Sequence, residues 1–151
     1  MLFVATAEAG DEEMRRRIEE HKKARAKDWN TLEVTTHVGS QIMRKLGKSK
    51  VVLIDCVTLL VNNIFEKYKE RVSQKEVINE ISELIKCIKE SNASFIIVTN
   101  EVGMGLVPTS KVGRLYRDLL GKANQMLAEC ADEVYFMVSG LPVKIKPPPC
   151  S

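Results

Sequence analysis

Four consecutive apolar residues, Phe95-Ile96-Ile97-Val98, are followed at once by Thr99, Asn100 and Glu101, and then by Gly103 and Gly105. An unbroken run of β-branched and aromatic residues reads as a strand buried on both faces, as in a parallel sheet between helices. Ligands of such sheets bind outside the carboxyl ends of the strands. Polar residues at that end mark a candidate site, and the two glycines let the backbone turn tightly and a ligand approach closely. Taken alone, the same loop also reads as a plain strand-to-helix connection.

Three further runs have this character: Leu2 to Ala5, Val51 to Ile54 and Val134 to Val138. Val143 to Lys146 alternates as an edge strand does. Helical patterns separate the runs. Gly10 and Asp11 open the first helix, and Asp11, Glu12 and Glu13 place acid where the helix dipole favours it. Trp29 and Thr31 to Val34 read as a short extended piece. His37 to Leu46 reads as a helix ended by Gly47. Ser73 to Glu76 is a capping box, and the helix behind it buries Val77, Ile81, Leu84, Ile85 and Ile88 in a purely structural role. Thr109 or Ser110 caps a last long helix with an inward stripe from Val112 through Leu115, Tyr116, Leu119, Ala123 and Met126 to Cys130. Strands alternating with helices imply an α/β fold with a mostly parallel sheet and right-handed crossovers. Residues 1–146 form one domain, and 147–151 a frayed tail.

Composition removes several classes of function. The chain has 151 residues, 44% hydrophobic and 28% charged, as expected for a soluble globular domain. Its net charge of +3 is too small to argue for a nucleic-acid partner. The basic stretch Arg15 to Lys27 reads as a solvated helix face. Cys56, Cys87, Cys130 and Cys150 show neither disulfide nor zinc spacing and suit a reducing cytoplasm. No apolar run approaches the ~20 residues of a membrane span, and no signal peptide is legible.

Two side chains carry candidate chemistry. Met14, Ile18, His21 and Arg25 fall within about 60° of one another on a helix, which turns His21 inward. An inward histidine is either a hydrogen-bonded core residue or a nucleophile. Asp55 directly follows an apolar strand, where a carboxylate either holds magnesium beside a nucleotide or caps the strand end. Gly47-Lys48-Ser49 is not a phosphate loop: the glycine required five residues earlier is missing, and a strand follows instead of preceding it. Arg114 and Arg117, near the start of the last helix, could meet a phosphate.

Several motifs then line up in order: RIEEH (Arg17 to His21) with Arg25, Trp29 and Thr31 to Glu33; VVLIDCVT (Val51 to Thr58) with Asn62; VTNEVGMGLVP (Val98 to Pro108); and VSGLPVKIK (Val138 to Lys146). Over nearly the whole chain the sequence resembles the adenosylcobinamide kinase / adenosylcobinamide-phosphate guanylyltransferase family of cobalamin biosynthesis. The resemblance implies a P-loop NTPase fold of the RecA-like type, with GTP or ATP and Mg2+ required and adenosylcobinamide and its phosphate as substrates. It implies phosphorylation of adenosylcobinamide, followed by GMP transfer from GTP through a GMP-histidine intermediate. His21 falls on the family's nucleophile. Thr6, Ala7, Glu8, Lys22, Lys23, Ala24, Arg25, Glu33 and Asp55 fall on nucleotide-contacting positions, and Asp55 is also the expected magnesium ligand.

The family opens with a strand and a glycine-rich loop ending in G-K-S, and this sequence starts at what corresponds to the second strand. The expectation is therefore a fold with that first strand and phosphate loop missing and with exposed sheet edges. A homo-oligomer is expected. The alternative is a non-catalytic or fragmentary nucleotide- or corrinoid-binding relative.

Overall fold

The computed structural model describes residues 1–26 and 28–147. Four parallel strands form the main sheet: β1 (Leu2–Ala5), β2 (Asn30–Glu33), β3 (Val51–Asp55) and β4 (Ser94–Val98), in the order β2-β1-β3-β4. Between them run α1 (Glu12–Ala24), α2 (Val38–Lys45), α3 (Val57–Tyr68) and α4 (Gln74–Glu90), with a short 3-10 turn at Lys69–Arg71. Next come α5 (Lys111–Cys130) and the strands β5 (Val134–Val138) and β6 (Leu141–Lys146), which pair antiparallel as a separate hairpin. The parallel α/β expectation holds for the four-stranded sheet, whereas the last two strands stand apart from it.

Most helix ends follow local chemistry. Asp11 caps α1, its carboxylate accepting from the Met14 amide. Ser73 and Glu76 form the capping box of α4, and Ser110 caps α5. Arg15, Arg16 and Arg17 pair with Glu12, Glu20 and Glu13 of their own helix, so this part of the basic stretch is a solvated face.

The core lies on one face of the sheet. Leu2 and Val4 of β1, Val52 and Ile54 of β3 and the inner sides of α2 to α5 close around it. Alternation along a strand sends the neighbouring residues to the opposite face. There Phe3 is covered by Arg25 and Trp29. Farther along, Ile96 and Val98 of β4 are 51% and 42% exposed. This corrects the reading of Phe95 to Val98 as buried on both faces: Phe95 and Ile97 pack on the core, but β4 is the last strand of its sheet and its other face is open. Val134 to Val138 is corrected likewise, because Tyr135, Met137 and Val138 are exposed and β5 touches only β6 in its sheet. In α5 the inward stripe is real from Tyr116 onward, whereas Val112 is 65% exposed because the first turn runs past the core. Gly103 and Gly105 do not use the left-handed region, which among glycines is occupied at Gly47 and Gly140.

The α2–α4 contact carries the chain from β2 back to the sheet. His37, at the N-cap of α2, has φ 56 and makes no capping bond with its own side chain. Glu80 of α4 does that work, its buried carboxylate accepting from the His37 and Val38 amides at 2.8 Å each. Glu83, one turn on, accepts from the Ser40 amide at 2.9 Å. Burial pushes the Glu83 carboxyl up, but the Ser40 bonds and the His37 ring outweigh it and hold its pKa below the ordinary value. A carboxyl lowered on folding stabilises the fold above its unfolded-state pKa, and this support is lost as pH falls through the lowered value.

Gly39 makes the close approach possible, since a Cβ there would lie 2.5 Å from the Glu83 carbonyl oxygen. Gly39→Ala must push two backbones apart, and we expect a loss of about 1–3 kcal/mol. Urea unfolding of the variant measures it, and an unchanged midpoint would contradict the packing described.

Candidate active site

The chain leaves β1 toward β2 on one side and leaves β3 toward β4 on the other. The strand order therefore reverses between β1 and β3, and a crevice opens at their carboxyl ends, where ligands of open α/β sheets bind. Register sets what stands there. Ala5 is opposite Glu33 of β2 and also opposite Asp55 of β3. Residues in register share a face, so Glu33 and Asp55 flank the small Ala5 on the side away from the main core.

The last turn of α1 meets these two carboxylates. His21 Nδ1 lies 3.9 Å from Asp55 Oδ2, and Lys22 Nζ lies 2.5 Å from Glu33 Oε1. A separation of 3.9 Å is longer than a hydrogen bond, so the imidazole and the carboxylate face each other and both remain open to a ligand. The Lys22–Glu33 pair is half exposed. Such pairs contribute roughly 0–1 kcal/mol, so its effect is to place charge more than to hold the fold.

Beyond α1 the Arg25 guanidinium sits 4.0 Å above the Phe3 ring, and Trp29 stacks on the same ring at 6.2 Å. Arg25 Nε is buried and has no hydrogen-bond partner among the described residues. A cleft of about 460 Å³ opens here, lined by Lys22, Lys23, Arg25, Trp29, Thr31 and Glu33 among others. A second, of about 660 Å³, lies on the other side of the Lys22–Glu33 pair and reaches Ala7, Glu8, Arg15 and His37. Cations and an indole lining one cleft form a surface suited to a base and its phosphates.

The expected site residues do not all behave alike. His21, Lys22, Lys23, Arg25, Glu33 and Asp55 converge on this end of the sheet. His21 is 69% exposed, which corrects its inward reading: it lies at the sheet's end and not over its middle. Met14, Ile18 and Arg25 of the same stripe are partly covered. Ala7 and Glu8 line the second cleft. Thr6 is fully buried, and its hydroxyl donates to the Cys56 carbonyl at 2.7 Å while accepting from the Cys56 amide at 2.8 Å. The side chain of Ala24 lies outside the described residues, as do Lys27 and the tail 148–151.

The VTNEVGMG loop is engaged elsewhere. Thr99 Oγ1 donates to Asn124 Oδ1, Asn124 Nδ2 donates to the Asn100 carbonyl, and the Asn100 amide donates to Thr58 Oγ1. These bonds tie the loop to α5 and α3. Arg114 donates to the carbonyls of Pro108 and Thr109, and Arg117 Nη1 is buried without a hydrogen-bond partner among the described residues.

Cys56, next to Asp55, is the other potential nucleophile. Burial, and less strongly the Asp55 charge, push its thiol pKa up, so it holds its proton at neutral pH. Among the described residues no three His, Cys, Asp or Glu side chains gather as a metal cluster, and no helix is long and apolar enough to cross a membrane. Among the interactions with no counterpart in the sequence reading are the capping of α2 by Glu80 and the bonds from Asn63 of α3 to the Thr6 and Thr35 carbonyls. The readable signal for both was a polar residue beside an apolar helical stripe.

A parallel α/β sheet with histidine, carboxylates and arginine at its switch point has the framework of a nucleotide-handling enzyme. Residues 1–145 match the cobinamide kinase / cobinamide phosphate guanyltransferase family, and the chain belongs to it. It is thus a kinase and guanylyltransferase of adenosylcobalamin biosynthesis. It is 39% identical over 155 aligned positions to the bifunctional adenosylcobalamin biosynthesis protein CobU of Escherichia coli, covering 97% of this chain and 86% of the relative. The CobU of Salmonella typhimurium is 37% identical with the same coverage. The bifunctional adenosylcobalamin biosynthesis protein CobP of Pseudomonas aeruginosa is 35% identical over 147 positions, covering 97% of this chain and 83% of the relative.

Proposed function

We propose that guanylyl transfer runs through His21. The observation that carries this is the exposed imidazole whose Nδ1 faces Asp55, one residue from Lys22, which lines both clefts. The nitrogen attacks the α-phosphorus of GTP: a P–N bond forms, the bond to the β-phosphate oxygen breaks, and pyrophosphate leaves. Asp55 offsets the positive charge that develops on the ring. In the second half, an oxygen of adenosylcobinamide phosphate attacks the same phosphorus. The P–N bond breaks, and GMP becomes joined to the acceptor through a P–O–P link.

Lys22, Lys23 and Arg25 supply charge for the triphosphate, and Glu33 supplies acceptors for the base or sugar. Ala7 and Glu8 border the same space, whereas Thr6 serves through its backbone and through its hold on Cys56. Asp55 is a hard oxygen donor, and one carboxylate with phosphate oxygens is a donor set that magnesium accepts. When bound, Mg2+ neutralises phosphate charge. A fold of the P-loop NTPase type is supported by Asp55 standing at the carboxyl end of an inner strand. The phosphoryl donor of the kinase step is ATP or GTP.

Intact mass after incubation with GTP and magnesium tests the nucleophile. An added GMP, lost in mild acid, is expected. No adduct on folded protein would sink the assignment and favour the non-catalytic binding relative. The uncovered face of β4 and the apolar residues of the β5–β6 hairpin support a homo-oligomer. Sedimentation is expected to give a multiple of the 17.0 kDa chain mass, and a monomer would remove that proposal. The buried free thiol of Cys87, its pKa pushed up to about 11 by burial, fits a reducing cytoplasm.

A further inference from the structure

We propose that Asn63 is a positioning residue that sets the nucleotide site by holding the ends of β1 and β2 on one amide and, through Thr6, the end of β3. Asn63 lies on α3 and is 7% exposed. Its Nδ2 donates to the Thr6 carbonyl at 2.7 Å and to the Thr35 carbonyl at 3.1 Å. Thr6 follows β1 directly, and Thr35 lies two residues beyond Glu33 at the end of β2. The Thr6 hydroxyl in turn bonds both the amide and the carbonyl of Cys56, the residue after Asp55. Asn63 and Thr6 together therefore link the ends of β1, β2 and β3, and β2 and β3 carry Glu33 and Asp55 toward Lys22 and His21.

The chemistry explains the residue type. A carboxamide NH2 has two hydrogens, and here they go to the Thr6 and Thr35 carbonyls. Leucine has similar bulk and no donor. Aspartate has the same shape, but its carboxylate oxygens would confront two carbonyl oxygens. A merely structural asparagine would lower stability without altering the site. A positioning asparagine also alters how the loops around Ala7–Glu8 and Glu33 meet a nucleotide.

The inference rests on those loops being the nucleotide loops. The test is GTP affinity by calorimetry for wild type, Asn63→Leu and Asn63→Asp, each at a temperature where circular dichroism shows it folded. Leu127→Ala, which trims the core on α5, controls for lost stability. Asn63→Leu is expected to weaken GTP binding by about tenfold or more, while Leu127→Ala unfolds earlier but binds as wild type does. Asn63→Asp keeps the proposal testable should the leucine variant not fold. Its deficit is expected to narrow between about pH 8 and pH 5.5, as a protonated carboxyl regains one donor. Affinities within about threefold of wild type in the folded variants would overturn the inference. The GMP adduct, read on the same samples, reports on His21 separately. An adduct with unchanged Asn63→Leu affinity sinks only the Asn63 role. No adduct with weakened affinity sinks only the nucleophile. Wild type that fails to bind GTP sinks both.

Discussion

His21→Ala is expected to abolish the acid-labile GMP adduct and to slow GTP–pyrophosphate exchange by at least about 10³-fold, equivalent to roughly 4 kcal/mol of barrier. The expectation follows from position. His21 faces Asp55 at 3.9 Å, and the neighbouring Cys56 has its thiol pKa raised by burial, so that thiol does not stand ready to replace it. His21 is 69% exposed, so its loss should change stability by no more than about 0.5 kcal/mol. A folded, inactive transferase is therefore expected, and thermal unfolding beside the exchange assay would verify both halves. Phosphorylation of adenosylcobinamide needs no P–N bond and should survive the substitution. An adduct that persists on His21→Ala would place the covalent chemistry on another residue.

Glu80→Ala carries the largest expected effect on stability. The lost carboxylate leaves the His37 and Val38 amides without partners, and Val38 is fully buried. An unsatisfied buried donor costs about 1–3 kcal/mol, and the cavity at a side chain only 6% exposed adds to this. We expect a total loss of about 3 kcal/mol in chemical denaturation. Glu80→Gln keeps one acceptor oxygen but turns an NH2 toward an amide that must itself donate, so it should recover only part of the loss. Wild-type stability in Glu80→Ala would mean that water satisfies α2 equally well.

The sequence reading was strongest where one short stretch decides its own state. The Leu2–Ala5 strand, the Ser73–Glu76 capping box and the strand ending in Asp55 are recognisable because hydrophobic period and capping act over a few residues. It failed where exposure depends on distant chain. Ile96 and Val98 carry the residue types of a fully buried strand, yet β4 is the last strand of its sheet. Val134 to Val138 misled in the same way, since its apolar residues lie on a hairpin outside the main sheet.

The candidate site divides along the same line. Its chemical parts lie in motifs that any reader of the chain can find: His21 with Lys22 in one helix turn, Glu33 and Asp55 at the ends of extended runs. Local hydrophobic pattern suffices to make those elements, and residue chemistry marks His21 and Asp55 as candidates, whereas Lys22 and Glu33 are named by the family resemblance. Their convergence does not follow from either. It comes from strand register, which sets Glu33 and Asp55 on either side of Ala5, and from the crossing of α1 over that edge. The same holds for Thr6, a nucleotide candidate by motif that the fold turns into a clamp on Cys56, and for Asn63, unremarkable within its helix. Register and buried polar bonds join distant residues, and Asn63 and Thr6 lie 57 positions apart. Only the closed tertiary structure brings those partners within bonding distance, because a hydrogen bond depends on separation in space and not along the chain.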